Sequence, residues 1–177
     1  MSKQIWNIDG AHSEIGFKVR HMMITNVNGI FNTYTATMAA DATDFSDAEI
    51  SFEADIDSVN TRNEQRDGHL KSPEFFDVEK FPKLNFKSSS FTKTADGQYT
   101  MKGMFNMHGV EKEVSMNVEF TGTVVDPWGQ VKAGFEITGA LNRSEYGLTW
   151  SATSEDGSIV LDEVIKLALN VQMIKQV

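Results

Sequence analysis

The sequence of 177 residues contains no cysteine. Disulfide bonds, thiolate catalysis and metal sites built on cysteine are therefore excluded, while the cellular compartment is left open. Proline is scarce, with 3 residues, whereas 13 glycines and 12 phenylalanines are present. This balance favours long twisted strands that are joined by tight turns.

Cationic residues and long apolar runs are also in short supply. Lys and Arg number 16 against 25 Asp and Glu, which gives a net charge of −9. An acidic surface repels nucleic acids and anionic membranes, so neither is an expected partner. No apolar run reaches the roughly 18 residues of a membrane-spanning helix, and residues 1–6 lack the features of a secretory signal. We expect one soluble domain over residues 1–177, cytoplasmic unless a leader was removed from a periplasmic protein.

Apolar and polar residues alternate with a period of two along most of the chain. Ile50, Phe52 and Ala54, for example, alternate with serine and acidic residues, which is typical of a half-buried strand. The same alternation predicts strands at 15–19, 48–56, 99–107, 114–122, 131–139 and 165–173. Less regular strands are predicted at 4–9, 29–38 and 83–92, the last with a bulge where Phe91 breaks the parity.

Turn signals at 96–97, 108–109 and 126–129 predict hairpins, so neighbouring strands should run antiparallel. Eight or nine such strands form a barrel or a sandwich. Strand length and glycines that permit coiling favour the barrel. Residues 60–82 are different, because alternation stops there. One short helix is predicted at about 63–70, and a second is predicted to begin at Ser72-Pro73-Glu74. The irregular segment 143–157 joins the last two long strands.

Few residues are arranged for catalysis or metal binding. The four histidines (12, 21, 69 and 108) are widely separated, with no metal-binding spacing between them. No nucleophile elbow or phosphate-binding loop is present. Asp67 and His69 are two positions apart and would not face each other on a helix. We therefore expect neither a metal nor a cofactor.

The inward-facing apolar set can be interpreted in two ways. A small barrel either fills its interior with side chains or leaves room for one ligand, and composition alone does not decide between them. A second candidate feature is the cluster of Arg62, Arg66 and His69, with Arg143 elsewhere. Arginine suits a phosphate or carboxylate head group, but salt bridges to Glu64, Asp67 or Asp77 are the favoured explanation on sequence alone.

A series of motifs runs along the chain in this order: Trp6-x-Ile8-Asp9-x-x-His12-Ser13-x-Ile15-Gly16-Phe17-x-Val19-x-His21, Gly29-x-Phe31, Asp57-Ser58-Val59-x-Thr61-x-Asn63-x-x-Arg66-Asp67-x-His69-Leu70, Ser72-x-x-Phe75-Phe76-Asp77, Phe81-Pro82, Phe86-x-Ser88, Gly103 with His108-Gly109-Val110, and Asn142-Arg143-x-x-Tyr146-Gly147. Together they resemble the YceI-like, polyisoprenoid-binding family. The resemblance covers nearly the whole chain. It implies an all-β, eight-stranded, lipocalin-like antiparallel barrel with a helical insertion at about 60–82. It also implies an apolar pore for an isoprenoid or fatty-acyl chain, and often a homodimer.

The leading hypothesis is therefore a non-catalytic carrier of a long-chain isoprenoid or fatty-acyl amphiphile. The proposed lining is Phe17, Val19, Phe31, Phe52, Phe86, Met101, Phe105, Phe120, Phe135, Leu167 and Leu169. Candidate polar contacts are His21, Arg62, Arg66, His69 and Arg143. Two alternatives stay open. One is an enzyme for a lipid-like substrate with His21 or His69 as its base, and the other is a filled barrel that serves protein association.

Overall fold

A computed structural model describes residues 3–41, 43–150 and 161–177. Nearly all of the regular structure in these ranges is β-strand. The elements are β1 (Gln4–Ile8), β2 (Glu14–His21), β3 (Thr25–Phe31), β4 (Tyr34–Ala40), β5 (Glu49–Asp55), β6 (Val59–Asn60), α1 (Glu64–Lys71), β7 (Lys83–Ala95), β8 (Gln98–Met107), β9 (Val110–Val125), β10 (Val131–Asn142) and β11 (Leu161–Lys175).

The strands close into an eight-stranded antiparallel barrel, which confirms the predicted fold. The ring runs β1-β4-β5-β7-β8-β9-β10-β11, and β11 returns to β1 with Lys175 opposite Trp6. β11 is long enough to pair with β2 as well, through Leu161 to Asn170. β2 then pairs with β3, and β3 with β6. The sheet therefore has a closed ring at one end and an extension of that ring at the other.

Three positions in the barrel wall are each filled by two short strands in succession. β1 and β2 are separated by a 3-10 turn at Gly10–His12, and β5 and β6 by another at Ile56–Ser58. The third position is filled by β3 and β4. The prediction of one continuous strand at 29–38 is therefore wrong, because β3 ends at Phe31 and β4 begins at Tyr34. The amide of Asn32 donates to the Ser58 carbonyl at 3.1 Å, so adjacent breaks are joined by hydrogen bonds.

The remaining strand predictions agree with the structure, but several strands are longer than predicted. β9 continues to Val125, although Val124 and Val125 are exposed. Backbone pairing with β10 extends beyond the core there, so the alternation of burial stops before the strand does. The predicted bulge in β7 is confirmed by a register shift between Ser88 and Ser90.

The insertion after β6 contains one helix where two were predicted. Asn63 caps α1 by accepting a hydrogen bond from the Arg66 amide at 2.9 Å. The second predicted helix, at Ser72, is wrong. Ser72 ends α1 by donating from its amide and hydroxyl to the His69 carbonyl, and Asp77 has a left-handed φ of 52° that a helix cannot contain. In the described part of the chain, no helix is long and apolar enough to cross a membrane.

Aromatic side chains close both ends of the barrel. At the end that carries the β4–β5 connection and the β9–β10 turn (the loop end), Phe45 packs on Trp6, Phe120 and Phe135 with ring centroids 5.2 to 5.4 Å apart. At the end that carries α1 and the β2–β3 turn (the helix end), Phe76 from the insertion packs against Phe31.

Candidate functional site

The barrel encloses a cavity of about 130 Å³ between these two aromatic layers. Every described residue that lines it has an apolar side chain or is glycine. Nine of the proposed residues are in the lining: Phe17, Phe31, Phe52, Phe86, Met101, Phe105, Phe135, Leu167 and Leu169. An apolar cavity of this size stays free of water and accepts apolar guests. The centre of the barrel is therefore hollow and suited to an apolar guest.

Two proposed lining residues lie outside the cavity. Phe120 belongs to the loop-end layer, where it packs on Phe45 and Phe135. Val19 is buried, but it lies further along β2 toward the helix end. Sequence parity shows which face a side chain occupies, and it does not show how deep along the barrel that side chain lies.

Other residues complete the lining without having been proposed. They include Ile8, Ala36, Val114, Met116, Ile137 and Met173. Most of them follow the same alternation as the proposed set, so their parity was a usable signal. Ile8 and Ala36 lie on the short strands β1 and β4, where the alternating pattern covers too few residues to be distinctive.

Two glycines make room for phenylalanine rings of the cavity lining. A Cβ atom at Gly29 would lie 2.3 Å from Cζ of Phe17, and one at Gly103 would lie 2.6 Å from Cζ of Phe86. The far end of each ring therefore lies against the backbone of the neighbouring strand, in space that any larger residue would occupy.

A polar groove of about 640 Å³ lies at the helix end. Its lining comes from β2, β3, residues 60–66 and Ala168. Gly16 and Phe17 contribute to the lining of both spaces, so the β2 wall lies between the groove and the cavity. The groove contains the cationic side chains Lys18, Arg62 and Arg66, together with His21; the carboxylate in its lining is Glu14. Positive charge therefore predominates at the groove of an acidic protein.

Thr61 fixes the position of Arg66 in the groove. The Arg66 Nε donates to Thr61 Oγ1 at 2.8 Å, and Nη2 donates to the Thr61 carbonyl at 2.6 Å. Asp67 holds Thr61 in turn by accepting from its amide and hydroxyl. Arg62 is exposed and has a left-handed backbone. Among the described residues, neither arginine forms an ion pair with Glu64, Asp67 or Asp77, the arrangement that was favoured from sequence.

The structure places His69 and Arg143 away from both spaces. His69 Nε2 lies 2.5 Å from Glu74 Oε2, and its ring packs against Phe75 and Trp150. Arg143 is only 4% exposed. Its guanidinium donates to the carbonyls of residues 148, 150, 161 and 162 at 2.7 to 3.3 Å. Burial lowers the pKa of Arg143, opposed by the nearby carboxylates of Glu163 and Asp162. This side chain joins the segment after β10 to the start of β11.

The histidines are as separate in space as they are in sequence. His12 lies on the turn after β1, where it contacts Asp9, and His108 lies on the β8–β9 turn, where it contacts the Tyr146 carbonyl. Within residues 3–41, 43–150 and 161–177, no group of three or more His, Asp or Glu side chains is arranged to hold a metal ion.

A closed antiparallel barrel with a hollow apolar interior defines a lipocalin-like protein. The model of the YceI-like domain matches residues 6–173, and the chain belongs to the YceI-like family. A UPF0312 protein of Staphylococcus aureus (strain N315) is 34% identical over 163 residues, which cover 91% of this chain and 92% of that protein. The resemblance stated from the motifs is therefore confirmed.

Solved structures share the same fold. The crystal structure of a Campylobacter jejuni YCEI protein is 30% identical, with a TM-score of 0.77 and 96% coverage of both chains. A polyisoprenoid binding domain from Saccharophagus degradans, implicated in plant cell wall breakdown, has a TM-score of 0.65 at 13% identity, with 97% of this chain and 98% of that chain covered. At that identity the second likeness concerns the fold alone.

Proposed function

We propose that the protein is a non-catalytic carrier that holds a long-chain isoprenoid or fatty-acyl amphiphile in the barrel. The observation that carries this proposal is the cavity, whose described lining is wholly apolar. At about 130 Å³ it is close in size to a cavity that holds benzene, so a longer chain enters as the Phe and Met side chains of the lining move aside. A domain of the same fold from Saccharophagus degradans is described as polyisoprenoid-binding, and we therefore choose an isoprenoid as the first cargo to test.

The lining determines which part of a ligand lies inside. A hydroxyl, phosphate or carboxylate placed in the cavity would lose its hydrogen bonds to water and gain none from the wall. A hydrocarbon chain instead gains about 0.8 kcal/mol for each methylene buried. The ligand therefore enters with its apolar chain, and its polar end stays outside.

The polar groove is where that polar end would lie, because it is at the helix end and shares Gly16 and Phe17 with the cavity lining. Arg66 is already oriented by Thr61, which reduces the ordering needed to bind a head group. Arg62 and Lys18 add positive charge along the same groove. An anionic head group, such as a phosphate, fits these cations better than a neutral one.

The histidine-base alternative has less support from the geometry. His21 lines the polar groove and His69 is paired with Glu74, so neither is among the residues that line the cavity. A base must lie within hydrogen-bond reach of the proton that it removes. The homodimer and the transport role implied by the resemblance stay predictions, and light scattering of purified protein tests the first of them.

Native mass spectrometry of purified protein with added geranylgeraniol tests the proposal. We expect a complex of one prenyl alcohol per chain and no binding of glycerol, which lacks the apolar chain. Geranylgeranyl phosphate should bind more tightly than the alcohol, and Arg62→Gln should reduce that difference. Lys102→Gln, an exposed residue on β8, is the matched control. Protein that binds neither prenyl compound would contradict the proposal.

A further inference from the structure

The turn between β2 and β3 exposes three consecutive apolar side chains. Met22, Met23 and Ile24 (the tip) are 45%, 56% and 77% exposed. Met22 and Met23 both have left-handed backbones, with φ of 52° and 61°. Such a conformation is uncommon for residues other than glycine, so the turn is tight and directs large apolar side chains outward. These side chains are outside the hydrophobic core, so packing within the protein does not explain why they are apolar.

One cationic side chain contacts the tip, and three others line the groove beside it. Arg20 is exposed, and its Nη1 donates to the Met23 carbonyl at 3.3 Å. Lys18 precedes it on β2, and Arg62 and Arg66 lie across the polar groove that β2 and β3 line. Described acids on the same elements are Glu14 at the far end of β2, Glu64 and Asp67 of α1, and Asp162 and Glu163 of the adjoining β11. Exposed apolar residues beside cations are typical of a surface that docks on anionic lipid.

We propose that the tip inserts into the surface of an anionic phospholipid bilayer. Docking would place the polar groove and the helix end of the barrel against the membrane from which a lipid cargo comes. The purpose of docking rests on the proposed carrier function, but docking itself is measured without any cargo. A net charge of −9 keeps the rest of the surface away from the bilayer, so the protein docks by this end.

The loop end provides an internal comparison. Val124 and Val125 in its β9–β10 hairpin are 62% and 67% exposed, and Trp128 is 83% exposed. This hairpin carries Asp126, and the adjacent β4–β5 connection carries Asp41 and Asp44. The aromatic layer around Phe45 also closes the cavity on that side. The cations Lys3, Lys93 and Lys132 at this end each lie within 4 Å of a carboxylate, that of Glu49, Asp96 or Asp126. Similar apolar exposure is therefore present there beside paired charges and without the groove.

Flotation with vesicles tests the proposal on the full chain. Vesicles of phosphatidylcholine with phosphatidylglycerol should bind the protein at low salt, and vesicles of phosphatidylcholine alone should bind it much less. Met23→Ser with Ile24→Ser should reduce binding roughly tenfold or more. The matched pair Val124→Ser with Val125→Ser should leave binding within about twofold, and thermal melting should show that both variants are folded.

Charge and orientation give two further readouts. Arg20→Gln should reduce binding roughly fivefold, whereas Lys93→Gln near the loop end should not. Quenching of the exposed Trp128 by iodide should be unchanged when vesicles are added, because the loop end faces away.

Three results would overturn the docking proposal. The first is no binding to anionic vesicles, and the second is an equal loss of binding in the two serine pairs. The third is a dimer in sedimentation that Met23→Ser with Ile24→Ser dissociates, because the tip would then be covered by a second copy of the chain. Failure to bind geranylgeraniol in free solution would instead refute the carrier function and leave docking measurable.

Discussion

Ala36→Leu should make the protein more stable and a poorer binder at the same time. Ala36 lines the cavity on β4, opposite Phe52 on β5. A leucine there would extend three more carbon atoms into the empty space. The protein would then fill with its own side chain the volume that the proposed cargo needs.

The size of the cavity gives the magnitude. Voids in protein cores reduce stability by about 24 cal/mol per Å³. A cavity of about 130 Å³ therefore corresponds to about 3 kcal/mol of stability not realised in the empty protein. Burying three methylene equivalents would recover up to about 2.4 kcal/mol before strain, and we expect a net gain of about 1 kcal/mol. The same carbons would displace as much of the ligand, so geranylgeraniol should bind roughly fiftyfold more weakly.

Urea unfolding and a geranylgeraniol titration measure the two effects on one preparation. Ala39→Leu is the control, since Ala39 lies on the same strand but on its outer face. That variant should bind as the unsubstituted protein does. Equal affinity in all three proteins, with Ala36→Leu correctly folded, would show that the ligand does not occupy the cavity and would refute the reasoning.

Three other substitutions test the wall and its supports. Gly103→Ala should reduce stability by about 1–3 kcal/mol in urea unfolding, because its methyl group would meet the Phe86 ring and the Lys87 carbonyl; a neutral result would show that the ring does not depend on the glycine. Arg143→Met should lower the unfolding free energy by about 3 kcal/mol or more, since buried backbone carbonyls lose their donor, and an unchanged thermal midpoint would contradict this. Burial opposes ionisation of Asp9, but its hydrogen bonds, including that from Gln172, outweigh burial and lower the pKa. The stabilisation from this carboxylate is therefore present above the unfolded pKa of about 4, and it is lost as pH falls through the lower folded pKa. Asp9→Asn should therefore reduce the free energy of unfolding by about 1 kcal/mol at pH 7 and by progressively less in acid. A stability difference that is independent of pH would exclude this origin.

The period-two pattern was sufficient to predict most strands and the face that each turns inward. It succeeds because the interior is one continuous apolar space, so burial follows alternation along β8 and β10 without interruption. It fails where a strand changes partners. The break at Asn32 and Thr33 depends on hydrogen bonds to Ser58 and Asp55, which are distant in sequence.

The site was predictable only in part, for a related reason. Phe17 and Phe86 could be placed on the inner face from parity, but the glycines that contact their rings belong to other strands. The fit of these rings therefore depends on strand register, which no local pattern reveals. Arg143 illustrates the opposite error. An isolated arginine looks like a ligand-binding group in sequence, yet here its donors are taken by backbone carbonyls.

The breaks between β1 and β2, β3 and β4, and β5 and β6 lie side by side in the barrel wall, and they bear on how a guest could enter. Hydrogen-bonded pairing closes the ring completely only around the loop end, and in the described chain no ladder joins β6 to β7. The insertion that carries Phe76 covers this gap, with a backbone hydrogen bond from Ile56 to Pro82 at its margin. If the proposed cargo enters at this side, the insertion has to move, but every strand pairing of the barrel can stay intact because no ladder closes the gap.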